Sequence, residues 1–204
     1  RSLEPHADAV LAVGVQDLRP ERLPEVLART IDELEHTRAP GRLFAADAAR
    51  LRAVLPAYAE ACAELAGAGI APTLQHDDLH DSNILSDGPV FIDWGDSCLG
   101  HPFGTMLATM RSIAWHHGLE VDDPQFPRVA DAYTEAWTDV TDRRTLRRQV
   151  ELAIRVGPLT RSLSYRQATT GVDEEAWQAE AEAMPEWLLE ILEPDLPLRP
   201  ALLA

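Results

Sequence analysis

Residues 71–100 interrupt an otherwise helical chain, and the interruption limits the folds open to it. On either side apolar residues recur at three- and four-residue steps; from Ala71 to Gly100 that period is lost and His and Asp crowd in instead. Two short apolar runs lie inside the stretch, Asn83-Ile84-Leu85 and Pro89-Val90-Phe91-Ile92. Between them Ser86-Asp87-Gly88 has the chemistry of a tight turn, in which glycine tolerates positive φ. The spacing predicts a two-stranded hairpin set into a mainly helical domain.

The flanks supply the helices. Apolar residues at 23, 26, 27, 31 and 34 share one helical face, and Pro40-Gly41 breaks the pattern. An alanine-rich second helix is expected over 45–65, kinked at Pro56. Beyond Pro102 the period returns near 103–117, 126–139, 142–156 and 173–192, punctuated by Pro124, Pro127, Gly157-Pro158 and Gly171. Asp142 stands at an N-cap position, and Asp173-Glu174-Glu175 places acids in a first turn, where the helix dipole favours them. The tail from Pro194 reads as extended. Trp115, Trp137, Trp177 and Trp187 fall on apolar faces and read as core; Trp177, beside three acids, is also a candidate wall for a cationic group. His116 and His117, before Gly118, read as C-terminal capping residues. Arg143, Arg144, Arg147 and Arg148 form a solvated helical stripe that can pair with acids.

Composition narrows the partners. The 204 residues carry a net charge of −16, which opposes nucleic acid and anionic membranes and suits a cationic small molecule. No apolar run approaches the ~20 residues that cross a bilayer, and no signal-like segment opens the chain, so a cytoplasmic location is expected. Cys62 and Cys98 make no metal-binding or disulfide pattern. All 18 basic residues are arginine, so a mechanism that needs lysine is incomplete within this chain.

The chemistry concentrates in His76-Asp77-Asp78-Leu79-His80-Asp81-Ser82-Asn83, with Asp93 following in Phe91-Ile92-Asp93-Trp94. Phosphoryl transfer asks for a positioned hydroxyl and a divalent cation held against nucleotide phosphates. A loop Asp can accept the hydroxyl's proton, an Asn five residues on can return to the cation, and an Asp across a hairpin can complete its oxygen ligands.

This stretch resembles the catalytic loop of aminoglycoside phosphotransferases and choline kinases, and Ile92-Asp93-Trp94 resembles that family's metal-binding motif; protein kinases share the logic. The resemblance implies the helical C-terminal lobe of a protein-kinase-like fold, with the N-terminal β lobe absent. Residues 1–22 then form the connection between lobes, 72–100 the catalytic loop and metal-binding hairpin, and 101–193 the substrate-side helices. It further implies transfer from ATP or GTP, with Mg2+, to an alcohol of a small cationic acceptor; resistance to an amine-bearing antibiotic is one physiological setting. Asp78 becomes the catalytic base, Asn83 and Asp93 hold metal and nucleotide, His76 is the loop's structural histidine, and His80 stands where protein kinases place a lysine.

Three departures from the family pattern qualify the resemblance. Asp77 replaces a usual glycine, and a carboxylate beside Asp78 raises the pKa of one of the pair. His101 and Thr105 replace two acids, the second of which normally braces the loop. No β-rich, lysine-bearing segment precedes Leu74, so a separate small lobe is the expected missing partner, and the chain alone is expected to be inactive. Two other classes stay open: a phosphohydrolase gripping a transition metal through His76, Asp78, His80 and Asp93, and an inactive kinase-like binding module. Asp96 faces either solvent or substrate.

Overall fold

The computed structural model describes residues 3–85, 90–120 and 123–193. The expected hairpin turn at 86–88 and the tail from Pro194 lie outside the described residues. In chain order the main elements are α1 (Ala7–Ala12), β1 (Gln16–Leu18), α2 (Leu23–His36), α3 (Ala45–Ala66), β2 (Thr73–Gln75), β3 (Ile84–Leu85), β4 (Val90–Phe91) and β5 (Cys98–Gly100). Six helices follow: α4 (Met106–His117), α5 (Gln125–Thr134), α6 (Arg143–Val156), α7 (Pro158–Ala168), α8 (Glu174–Glu180) and α9 (Ala183–Leu189).

The expected faces form the core. Helix α2 buries Leu23, Val26, Leu27, Ile31 and Leu34, spaced at the helical period, and packs on α3. Helix α3 runs unbroken through Pro56 and buries Leu51, Tyr58, Cys62 and Leu65. It rests on α6, where the Tyr58 hydroxyl donates to the Val156 carbonyl at 2.9 Å. Among these helices α6 is central: it packs against α3, α4, α5 and α7 and buries Leu146, Val150, Leu152, Ala153, Ile154 and Val156. Asp142 caps it, accepting from the Thr145 amide at 2.9 Å, and Asp173 caps α8 through the Ala176 amide.

Several elements depart from the sequence reading. The helix expected over 103–117 begins as a 3-10 turn at Pro102–Thr105. The one expected over 126–139 gives way after Thr134 to a 3-10 turn, and the one over 173–192 divides into α8, α9 and a final 3-10 turn. Helix α7 fills 158–168, which Gly157-Pro158 made look like a break. Proline is acceptable there because it stands in the first turn, where its missing N–H costs no hydrogen bond. A three-stranded sheet, ordered β1-β5-β2, was also hidden, since three-residue strands are too short to show alternation. Trp115 is 84% exposed and not core, whereas Trp137 is buried. Among the described residues no helix is long and apolar enough to cross a membrane.

Candidate active site

The small sheet sets the site's geometry. Strand β5 lies between β1, to which it is parallel, and β2, to which it is antiparallel. The register places Gln75 opposite Cys98, so the loop leaving β2 and the segment entering β5 start from one end of the sheet. The hairpin β3–β4 stands beside them, pairing Ile84 with Phe91 and Leu85 with Val90.

His76 ties the loop to that hairpin. Its Nε2 lies 2.8 Å from the Ile92 carbonyl oxygen, and its Nδ1 accepts from the Asp78 amide at 3.3 Å. This pairing puts the proton on Nε2 and leaves neither nitrogen free. The Trp94 ring, centred 4.8 Å away, covers the imidazole.

The loop then folds back on itself. Asn83 is buried, and its Nδ2 donates to the Asp78 carbonyl at 2.9 Å and lies 3.2 Å from His80 Nε2. Since the amide nitrogen is turned into the loop, Oδ1 is the side-chain oxygen left to meet a ligand. The same His80 nitrogen is 3.5 Å from Asp78 Oδ2. Asp78 is 30% exposed at its side chain, enough to meet a solute while anchored from behind.

Asp93 is placed through the backbone. The Ile92 amide donates to the Asn83 carbonyl at 3.0 Å, so Asp93 leaves the hairpin beside Asn83. It adopts φ 59° and ψ 60°, and among the described residues no other non-glycine has positive φ. Such left-handed backbone is uncommon for a side-chain-bearing residue and concentrates at functional sites. Asp78 and Asn83 are thus in direct contact, whereas Asp93 is linked to Asn83 through the backbone bond of its neighbour Ile92.

Asp77 lies deeper than its neighbour Asp78, although both face Arg161. It is buried; Oδ1 accepts from Gln75 Nε2 at 2.7 Å and from the Thr160 hydroxyl at 2.9 Å, and Oδ2 finds no hydrogen-bond partner. Burial pushes its pKa up to about 7 against the attraction of Arg161, with smaller repulsion from Asp96 and Asp78. The expected upward shift therefore falls on Asp77, and desolvation is its chief cause.

Arg161, which no sequence signal singled out, lies at the centre of these acids. Its Nη2 is 3.2 Å from Asp78 Oδ1, and its Nη1 is 3.1 Å from Asp96 Oδ2 and 3.2 Å from the Asp77 carbonyl. Asp96 therefore faces this buried arginine. The residue was hidden because the helix that carries it went unread.

The loop is braced without the acid expected at position 105. The Thr105 hydroxyl donates to the His76 carbonyl, and Thr109 donates to the Leu79 carbonyl at 2.8 Å. His101 is buried, accepts from the Phe103 amide at 3.2 Å, and is held neutral because burial lowers its pKa to about 3. At Gly104 the approach is close: a Cβ there would lie 2.0 Å from Gln75 Oε1, so the buried Gln75 amide, bonded to Asp77, would have to move. Gln75 and His101, each with one buried polar atom lacking a hydrogen-bond partner, line a cavity of about 20 Å3, which has room for a water.

Other candidates resolve plainly. Arg143, Arg147 and Arg148 pair with Glu135, Asp131 and Glu64, as a solvated stripe should. The face of Trp177 is taken by Arg38, 3.6 Å from its ring centre and bonded to Glu174, so the proposed cation wall already holds a cation of its own chain. His116 bonds through Nδ1 to the Ser112 carbonyl in the last turn of α4. It also lines, with His80, Asp81 and His117, a cavity of about 190 Å3 beside the loop. Among the described residues no three His, Cys, Asp or Glu side chains are grouped to hold a metal. With both His76 nitrogens engaged as well, the transition-metal grip is not formed.

A family model described as "Phosphotransferase enzyme family" matches residues 9–148, which contain the whole loop and hairpin. Comparison with curated proteins and with solved structures gives no match.

Proposed function

The chain belongs to the phosphotransferase enzyme family, and from that premise we propose that it supplies the acceptor-activating lobe for ATP-dependent transfer to a hydroxyl of a small molecule. The observation that carries the reading is the state of Asp78. One carboxylate oxygen is anchored on Arg161, the main chain is held by His76 and Asn83, and the side chain remains part-exposed. A group fixed in this way can orient an incoming hydroxyl and take its proton.

The oxygen donors Asn83 Oδ1 and Asp93 suit magnesium, a hard cation that keeps several waters and relies on few protein ligands. When bound with the nucleotide, it would neutralise the charge on the transferring phosphates. Asn83 and Asp93 are the residues that would hold it. Thr105 and Thr109 keep the loop carbonyls in place, and His80 sits against the exposed side of Asp78. The cavity beside His80 and Asp81 is the proposed acceptor pocket, and the net charge of −16 favours an amine-bearing acceptor such as an aminoglycoside or an amino alcohol. With no lysine among the 204 residues, a phosphate-pairing lysine would come from a further lobe.

The test is Asp78→Asn in the intact protein, assayed for ADP release with MgATP and a panel of aminoglycosides and amino alcohols. Turnover should fall roughly 10²-fold or more, as for a lost general base. Unchanged turnover removes Asp78 from the chemistry.

A further inference from the structure

Arg161 is the buried cation nearest the proposed base, and its surroundings are arranged around the loop. It projects from α7, whose residue 160 also grips the loop through the Asp77 carboxylate. We infer that Arg161 is the positioning residue that fixes the Asp78 carboxylate for proton acceptance, by clamping the catalytic loop and the segment after Asp93 onto one guanidinium. The inference rests on the phosphotransfer reading above.

The geometry supplies the argument. Nη2 takes Asp78 Oδ1, while Nη1 spans Asp96 Oδ2 and the Asp77 main-chain oxygen. Two hydrogen bonds and one ion pair on two different loops therefore meet in one rigid plane, so a rotation of Asp78 would cost its ion pair with the guanidinium. With Oδ1 facing Arg161, Oδ2, 3.5 Å from His80 Nε2, is the oxygen turned toward an incoming hydroxyl. The sheet register makes the clamp possible, because residues 76–78 and 96–98 leave the same sheet end.

Arg161 is itself buried, with the rings of Tyr165 and Trp187 centred 5.8 and 5.7 Å from its guanidinium carbon, so it acts on a substrate through Asp78 and not by contact. Burial works against its charge, but Asp77, Asp78 and Asp96 more than offset that and keep it protonated. Lysine could keep the charge but not the fork, since a single ammonium cannot reproduce a planar bridge to three acceptors.

The experiment compares wild-type protein, Arg161→Lys, Asp78→Asn and the double variant in the ADP-release assay, with thermal unfolding of each. Arg161→Lys should lower kcat by about 10- to 10²-fold, the scale of a small misplacement of a reacting group, and leave KM for ATP and acceptor within about twofold. In the Asp78→Asn background the same change should cost nothing further, because Arg161 acts through that carboxylate. An equal loss in both backgrounds, or a rise in KM without loss of kcat, overturns the inference while leaving the phosphotransfer reading standing. Should Arg161→Lys fail to fold, Asp96→Asn, at a side chain 30% exposed, takes its place. It loosens one arm of the clamp and should lower kcat several-fold, whereas unchanged kcat refutes the clamp. All four are made in the intact protein, with the lysine-bearing lobe present; no turnover of any acceptor by that wild-type protein overturns the phosphotransfer reading and this inference with it.

Discussion

Asp77 gives the sharpest test of the electrostatics, because it is a buried carboxyl whose pKa is pushed up to about 7. The sign follows from proton counting. Between the ordinary carboxylate range and pH 7 the folded state holds a proton that the unfolded chain has released, so stability falls as pH rises through that window. The stabilisation is fully present below about pH 4 and lost above about pH 7. Three pKa units at ~1.4 kcal/mol each set the loss at about 4 kcal/mol, an upper figure because relaxation around Asp77 would shrink it. Asp77→Asn keeps an oxygen for Gln75 and Thr160 but cannot ionise. Urea unfolding at pH 5, 6, 7 and 8 should show the wild-type protein losing stability relative to the variant by about 1 kcal/mol per pH unit up to pH 7, then running parallel to it. The other acids of this −16 chain cancel in the comparison. Parallel curves from pH 5 to 8 would refute the reasoning, since they would mean that Asp77 ionises as freely in the fold as in the unfolded chain.

Two more substitutions probe the packing under the loop. Gly104→Ala would drive a methyl into the Gln75 amide and should cost about 1–3 kcal/mol in urea unfolding, more than a surface Gly→Ala change. Thr105→Val removes the hydroxyl that satisfies the buried His76 carbonyl without changing side-chain shape. It should cost about 1–3 kcal/mol and lower kcat, and a variant as stable and active as wild type would show that this hydrogen bond is not what braces the loop.

The helices were legible where one face is buried over three or more turns, as in α2, or where a capping residue marks the start, as Asp142 does for α6. The loop and hairpin were legible because their chemistry depends on residue types at fixed offsets, and the register of Ile84 with Phe91 bears out the hairpin. Helix α7 was not, for a physical reason: Pro158, Thr160, Ser162 and Ser164 are buried alongside Leu159 and Leu163, so the helix is sunk on most sides and carries no apolar stripe. Trp115 failed in the opposite direction, since a tryptophan on a helical face can also be left in solvent.

The consequence for the site is that its local and distant halves carry different kinds of signal. Asp78, Asn83 and Asp93 occur within sixteen residues, and their spacing is written in one hairpin. Arg161, Thr160 and Thr105 reach the same loop from α7 and from the turn before α4, and their contacts exist only because β2 and β5 pair in the register that opens both loops at one end. Sequence offset specifies the groups proposed to touch the reactants. Tertiary packing specifies the groups that hold them still, and the absence of an acid at position 105 was misleading for that reason: the Thr105 hydroxyl reaches the His76 carbonyl and braces the loop by donating, which a carboxylate could not do.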